Sequence, residues 1–163
     1  CYKMATVTVK NVDRLIQRLN NIAGMDLKST MVKATNVVHA QAKNLAPVDT
    51  GNLAGSIHQE VNVKGENLEG RVFTNVKYAP YVEFGTGIKG NGSYPYDIEG
   101  IDLEYRDTPW VYTPDDGETY YRTEGQVAQP FMYPALKENE KYIKDLFKNG
   151  VKDNLRENCK GGR

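Results

Sequence analysis

The chain has 163 residues and no net charge, with 39% hydrophobic and 26% charged residues. That length suits one domain, and the composition is that of an ordinary globular protein. The zero balance excludes a global field for nucleic acid or an anionic membrane, and no apolar run approaches the ~20 residues of a membrane span.

The chain begins Cys1-Tyr2-Lys3-Met4-Ala5-Thr6. This stretch lacks the apolar run of a signal peptide. The expected start is either a removed initiator or Met4. Cys1 and Cys159 lie near opposite ends, each without a second cysteine nearby, so a reducing, intracellular setting is expected.

Val12, Leu15, Ile16, Leu19 and Ile22 recur at helical spacing after Asn11, a good N-cap, and Gly24 ends that helix. A second helix is predicted from about Asp26, with Leu27, Met31, Ala34, Thr35, Val38, Ala42 and Leu45 as its stripe. Pro47 stops it, and Ala46 before the proline is biased to extended geometry. From Ile57 to Val63 the residues alternate, with Ile57, Val61 and Val63 on one face and His58, Glu60 and Asn62 on the other. Lys64-Gly65-Glu66-Asn67 reads as a hairpin loop and Leu68 to Thr74 as the return strand.

In Tyr78-Ala79-Pro80-Tyr81-Val82-Glu83-Phe84-Gly85, a helical turn would put Tyr78, Tyr81 and Phe84 on one side. Pro80 could start that turn and Gly85 end it. Glu83, set among aromatics, is either a partly exposed carboxylate or a buried acceptor for a backbone cap or an arginine.

Residues 86–126 are rich in Gly, Tyr, Asp and Pro and have no helical period. Trp110-Val111-Tyr112 and Tyr120-Tyr121-Arg122 flank an Asp-Gly turn, which predicts a hairpin. The aromatic content argues against disorder, and an insertion of this length is expected to act as an interaction arm outside the core. Gln129-Pro130-Phe131-Met132-Tyr133-Pro134 opens a last helix. Pro130 and Pro134 fix its entry, and Phe131 and Leu136 are expected to plug the core, with Ile143, Leu146, Phe147, Val151 and Leu155 behind them. Gly150 weakens the helix midway, and the end is expected to fray after about residue 156. The fold expected is α+β, one domain over 1–163: a small antiparallel sheet packed against two N-terminal helices and one C-terminal helix, with a long irregular insertion carrying a hairpin.

Charge is uneven along the chain. Six bases (Lys10, Arg14, Arg18, Lys28, Lys33, Lys43) face Asp13 and Asp26 between Lys10 and Leu45. Nine acids (Asp97, Glu99, Asp102, Glu104, Asp107, Asp115, Asp116, Glu118, Glu124) face Lys89, Arg106 and Arg122 between Lys89 and Gln126. Beyond a solvated surface, this pattern allows polar self-association of an acidic segment with a basic helix on a neighbour. Arg14, Arg18, Lys28 and Lys33 are the basic candidates. Asp115 and Asp116 are the acidic ones, with Trp110, Tyr112 and Tyr120 as aromatic anchors.

"APVDTGNLAGSI" (46–57) contains the Asp-Thr-Gly by which aspartic proteases present a carboxylate. That chemistry needs a loop after a buried strand and two carboxylates sharing a proton. Here a helix closed by Pro47 precedes Asp49, and one chain supplies one such triplet, so only a dimer could act as a hydrolase. The structural reading has Asp49 or Thr50 capping a short helical turn, Gly51 permitting close backbone approach, and Leu53 and Ile57 anchoring the turn, with Ser56 between them. His39 and His58 make a weak metal pair. Glycines 85, 87, 90 and 92 resemble a phosphate loop without its Gly-Lys-Ser/Thr or a following helix. Basic residues on the first two helices could touch DNA phosphates, giving a nucleic-acid-binding module as a further alternative. No cofactor is expected.

Three motifs in order, "APVDTGNLAGSI", "YAPYVEFGTG" (78–87) and "QPFMYPAL" (129–136), resemble the tail-component family of long-tailed bacteriophages, the head–tail joining or tail-completion proteins of the neck. The resemblance spans roughly Val12 to Phe147, and the acidic Tyr-rich segment departs from it as a longer insertion. It implies a virion structural protein without enzyme activity, assembled in the host cytoplasm as a ring, with a hexamer expected. The implied partners are adaptor or connector proteins and tail-tube or tail-terminator proteins, and DNA would pass through the ring without specific binding. It also implies that Pro47, Asp49, Thr50, Gly51, Leu53, Ser56, Tyr78, Tyr81, Glu83, Phe84, Gly85, Pro130, Phe131, Pro134 and Leu136 are determinants of fold and assembly.

Overall fold

The computed structural model describes residues 27–48, 51–64, 67–113 and 117–160. The stripe over 12–22, Arg14, Arg18, Asp49, Thr50, Asp115 and Asp116 lie outside them. The elements are α1 (Lys28–Leu45), α2 (Asn52–Gly55), β1 (Ile57–Lys64), β2 (Asn67–Thr74), α3 (Ala79–Phe84), α4 (Gly87–Gly90), β3 (Trp110–Tyr112), β4 (Tyr121–Thr123), β5 (Gly125–Gln126) and α5 (Met132–Lys160). The chain is α+β, as its patterning indicates.

Helix α1 stops at Leu45 because Ala46 turns extended (φ −60°, ψ 127°) ahead of Pro47. Its inward face is Ala34, Thr35, Val38 and Ala42, while Leu45 lies off that line and is exposed. The Thr35 hydroxyl is buried but donates to the Met31 carbonyl at 2.8 Å, so its burial leaves no unpaired group. β1 and β2 pair antiparallel from Ile57↔Thr74 to Lys64↔Asn67, the register of a two-residue loop. The hairpin lies against α1 because Gly70 of β2 carries no side chain; a Cβ there would come within 2.8 Å of the Met31 sulfur.

α5 runs alongside α1. Gln41 donates to Glu138 at 3.1 Å near one end, and Gly150 faces Thr30 and Leu27 near the other. Gly150 therefore does not break the helix. It is where α1 approaches, since a Cβ would lie 2.8 Å from the Thr30 hydroxyl. The helix continues to Lys160, past the expected fraying point.

The core is small and alanine-rich: Val38, Ala42, Ala46, Leu53, Ile57, Ala79, Phe131 and Ala135. Phe131 and Ile57 are its largest fully buried side chains. Leu136 does not plug this core; it is 53% exposed. Phe131 and Ala135, four apart, share the inward line at the start of α5, and Leu136 is turned about 100° from Ala135.

Asp49 and Thr50, expected to cap the Asp-Thr-Gly turn, lie outside the described residues. The N-cap position of α2 is Gly51, with φ 75°. A Cβ on Gly51 would meet nothing within 4 Å among the described residues, and its left-handed conformation calls for glycine. Leu53 and Ile57 are buried, 5% and 2% exposed, and so anchor the turn as expected. Ser56 donates to the Leu53 carbonyl at 2.7 Å and shares a hydrogen bond with the Thr74 hydroxyl at 2.7 Å.

Candidate functional site

The densest polar geometry is where α3 meets the start of α5. Pro80 lies in the first turn of α3 and Gly85 closes it at φ 77°. Over this single turn Tyr78 and Tyr81 face outward, at 42% and 58% exposure, so the opposite side, Ala79 and Glu83, is buried. Glu83 is 5% exposed. Its Oε2 accepts from the amides of Phe131 (2.7 Å) and Met132 (2.9 Å), and its Oε1 accepts from Tyr133 (3.0 Å).

These are the amides that a helix beginning at Met132 leaves without internal partners. The fourth would belong to residue 134, which is proline and has none. One carboxylate from 48 residues upstream therefore satisfies every free donor at the start of α5. It also places a negative charge at the positive end of the helix dipole. Of the readings open in the sequence, the buried acceptor of a backbone cap is the one realised, and among the described residues no arginine pairs with it.

Aromatic rings enclose this junction. Phe84 packs edge-on to Tyr94 (5.1 Å between centroids) and Tyr94 to Tyr96 (5.6 Å), and Tyr96 lies tilted against Tyr133 (5.0 Å). The Tyr94 hydroxyl is buried with no hydrogen-bond partner among the described residues. Burial first, then the Glu83 carboxylate, then Tyr133, Tyr96 and Tyr105, push its pKa above the ordinary tyrosine value. Tyr105 donates to the Phe84 carbonyl at 2.9 Å, and the Ser93 hydroxyl accepts from the Ala128 amide at 2.9 Å.

The strand after α3 crosses the strand that leads into α5. Thr86 pairs with Gln126 and Gly87 with Gly125. A Cβ on Gly85 would sit 2.8 Å from the Ala128 amide nitrogen, and one on Gly125 would collide with the Thr86 carbonyl. The glycines around 85–92 thus serve a backbone crossing and not a phosphate. The one turn of helix within them, α4, is itself closed over by Gly125 and Gln126.

The insertion is accordingly two structures. Its base, with Ser93, Tyr94, Tyr96 and Tyr105, belongs to the junction, which corrects the expectation of an arm wholly outside the core. Its distal part is the β3–β4 hairpin, paired Trp110↔Thr123, Val111↔Arg122 and Tyr112↔Tyr121. Tyr112 stacks on Tyr121 at 5.8 Å. Tyr120 is 74% exposed. Trp110 is half-buried beside Gly87 and under Arg106, 5.6 Å from its guanidinium, so it anchors the base of the hairpin.

Among the other candidates, Lys28 and Lys33 are exposed on α1. Pro130 is half-buried and Pro134 buried at the entry to α5. His39 bonds the Ile57 carbonyl at 3.0 Å and joins α1 to β1, while His58 packs on Phe73 at 6.0 Å. Among the described residues no group of three or more His, Cys, Asp or Glu could hold a metal ion. No helix of the described residues is long and apolar enough to cross a membrane.

What sequence reasoning missed was the base of the insertion. Its available signal was the tyrosine run at 94, 96 and 105, which composition assigned to an exposed arm.

The buried Glu83 lies in the second of the three motifs, and the amides it holds lie in the third. The first two motifs lie in the part of the chain that is similar to a bacteriophage tail-component family. Residues 12–85 match the family model described as "Bacteriophage HK97-gp10, putative tail-component". The match holds Asn52–Gly55 and the whole of α3, and ends at Gly85, where the insertion begins. Neither the curated proteins nor the solved structures give a match. The similarity to phage tail components supports a structural role in a phage tail and a place in the virion.

Proposed function

We propose that this protein is a non-enzymatic tail-completion or head–tail joining component of a tailed phage, assembling as a ring, with a hexamer expected, in the neck of the virion. The observation that carries the reading is the tail-component match over residues 12–85, the segment that supplies the Glu83 cap. In the neck the ring would meet an adaptor or connector protein on one side and a tail-tube or tail-terminator protein on the other. DNA would pass through without specific recognition.

The exposed faces suit head-to-tail closure, in which one surface meets a different surface on the next copy. The hairpin supplies the exposed rings of Tyr112, Tyr120 and Tyr121 on an acidic segment, and α1 supplies Lys28 and Lys33. Aromatics would anchor such a contact and charges would set its register. Nothing specific favours the dimeric hydrolase: the segment before the Asp-Thr-Gly is α1, where that chemistry needs a strand.

The test is genetic and structural. Phage lacking the gene should accumulate DNA-filled heads and separate tails, and the purified chain should give a closed ring by native mass spectrometry, alone or with its neck partners. Infectious joined virions made without this chain would overturn the proposal.

A further inference from the structure

Five lysines of α5 form one line. Lys137, Lys141, Lys144, Lys148 and Lys152 are all exposed among the described residues. At about 100° and 1.5 Å per residue, they fall within an arc of about 80° along about 22 Å of helix. That arc lies nearly opposite Ala135, which is buried in the core, and Gly150, which faces α1. Glu140 beside the line pairs with Lys137 at 3.4 Å and with Lys144. Among the described residues no carboxylate pairs with Lys141, Lys148 or Lys152. Residues 1–26 carry four bases and two acids, so that segment does not bring the balancing charge.

A surface of the opposite sign lies at the base of the insertion. Asp97, Glu99, Asp102 and Glu104 are exposed and alternate with the half-buried Tyr96, Ile98, Leu103 and Tyr105. The Ile101 amide donates to the Ile98 carbonyl at 3.1 Å, and Gly100 sits at φ 81°. A tight turn therefore gathers the four carboxylates around it. Tyr96 against Tyr133, and Tyr105 on the Phe84 carbonyl, root this turn on the junction of α3 and α5. None of the four carboxylates has an ion-pair partner among the described residues, so the two surfaces do not neutralise each other within one chain.

We propose that the lysine line of α5 is the docking face for the 97–104 turn of the next copy. The proposal deepens the ring reading and rests on its premise that copies of this chain meet head to tail. Two different surfaces of opposite sign, each held on a fixed element, are what a heterologous contact needs. Glu140 borders the line on one side and the exposed Asp145 on the other. A long polyanion laid over α5 would meet both acids, whereas four discrete carboxylates on a turn can be seated between them. The pattern thus favours a protein turn over a nucleic-acid backbone, with the charges setting the register of the contact.

The experiment compares the full chain with two triple variants. One carries Lys141→Glu, Lys148→Glu and Lys152→Glu, and the other Glu99→Lys, Asp102→Lys and Glu104→Lys. All six positions are exposed, and near-UV circular dichroism checks that each variant is folded. A variant that does not fold is replaced by its single reversal, Lys148→Glu or Asp102→Lys, read in the same way. Sedimentation velocity in low salt should show the wild-type chain associating. Each triple variant alone should raise the dissociation constant at least about tenfold, because three close pairs turn repulsive. An equimolar mixture of the two variants restores opposite charge at every contact. It should associate again, and native mass spectrometry should find equal numbers of each variant in the assemblies. Salt of ~1 M, which shortens screening to about 3 Å, should weaken the wild-type and mixed assemblies alike. Triple variants that associate like the wild type would overturn the proposal, and so would a mixture that stays dissociated. A wild-type chain still monomeric at about 1 mM would overturn it as well. A DNA gel shift lost in the lysine variant, with self-association unchanged, would make a nucleic-acid backbone the occupant and overturn it too. Failure here leaves the neck reading to its own genetic test, since a ring can close through the hairpin and α1. Joined virions made without the gene would end the neck reading without altering the association measured here.

Discussion

Replacing Glu83 with glutamine keeps the shape of the side chain and removes the property that α5 depends on. The carboxylate accepts three amides with two oxygens. Glutamine offers one carbonyl oxygen and an NH₂ that can only donate. If the oxygen serves Phe131 and Met132, the NH₂ faces the amide of Tyr133. If it serves Tyr133, two amides lose their acceptor. At least one buried N–H is left unpaired, at a cost of about 1–3 kcal/mol. The lost charge at the helix N-terminus adds about 0.5–2 kcal/mol. The terms share one group and do not add fully, so Glu83→Gln should cost about 2–4 kcal/mol. For a chain of this length that is a fall in melting temperature of about 4–16 °C. Thermal and urea unfolding by circular dichroism would measure it, with hydrogen exchange at Phe131, Met132 and Tyr133 as the local readout. A loss below about 0.5 kcal/mol with those three amides still protected would refute the cap.

Tyr94→Phe removes a buried hydroxyl with no partner among the described residues, so stability at pH 7 should hold or rise by up to about 1 kcal/mol. Its pKa is raised on folding, so above about pH 10 the unfolded chain gives up a proton that the folded chain keeps. Stability should therefore fall with rising pH in that range, and Tyr94→Phe should flatten the fall in urea titrations. Gly125→Ala forces a Cβ into the Thr86 carbonyl at φ 94° and should cost about 2–6 kcal/mol from strain and overpacking; a neutral result in urea unfolding would deny the crossing. Pro134→Ala supplies the missing fourth amide and frees the unfolded chain, so a loss within about 1 kcal/mol is expected by the same assay. Deleting 87–126 should unfold the domain, whereas replacing 111–122 with a short glycine linker should move the melting temperature by under about 4 °C; equal effects would refute the division of the insertion into base and hairpin.

Where a feature depended on neighbours in sequence, the sequence showed it. Pro47 ends α1, Gly85 ends α3, and the alternation from Ile57 with the loop read at 64–67 marks the β1–β2 hairpin, although its strands pair one residue further in, to Lys64↔Asn67. The β3–β4 hairpin was legible from its Asp-Gly turn, although its register pairs Tyr121 and not Tyr120 with Tyr112. Glu83 was recognisable as unusual, being an acid among aromatics, but its partners lie 48–50 residues away and are backbone amides, which carry no residue signature. Leu136 was misread because helical spacing marks a face only to within a residue, and the line from Phe131 to Ala135 leaves it exposed. The core was hard to see because four of its eight residues are alanines, which hydrophobic patterning scores weakly. The base of the insertion was invisible for a different reason: Tyr105 and Ser93 dock through hydroxyl bonds to backbone, and such contacts leave no period.

The position of the exposed hairpin is set by the buried carboxylate. β4 leads through Thr123 to β5, whose Gly125 and Gln126 pair with Gly87 and Thr86 immediately after α3. Gln126 also donates to the Tyr81 carbonyl at 2.7 Å, and Gln129 to the Val82 carbonyl at 2.8 Å. The turn that presents Glu83 therefore carries the root of the hairpin on its own backbone, and Glu83 fixes that turn to α5. An insertion of about forty residues hung from a flexible loop would present Tyr112 and Tyr120 over a wide range of positions, and each contact would then bear the entropy of ordering it. Rooted on two crossed strands and a capped helix, the same rings are held in advance. A ring contact through them is thus coupled to α3 and α5, and weakening the Glu83 cap should loosen the hairpin before it unfolds α1 or β1.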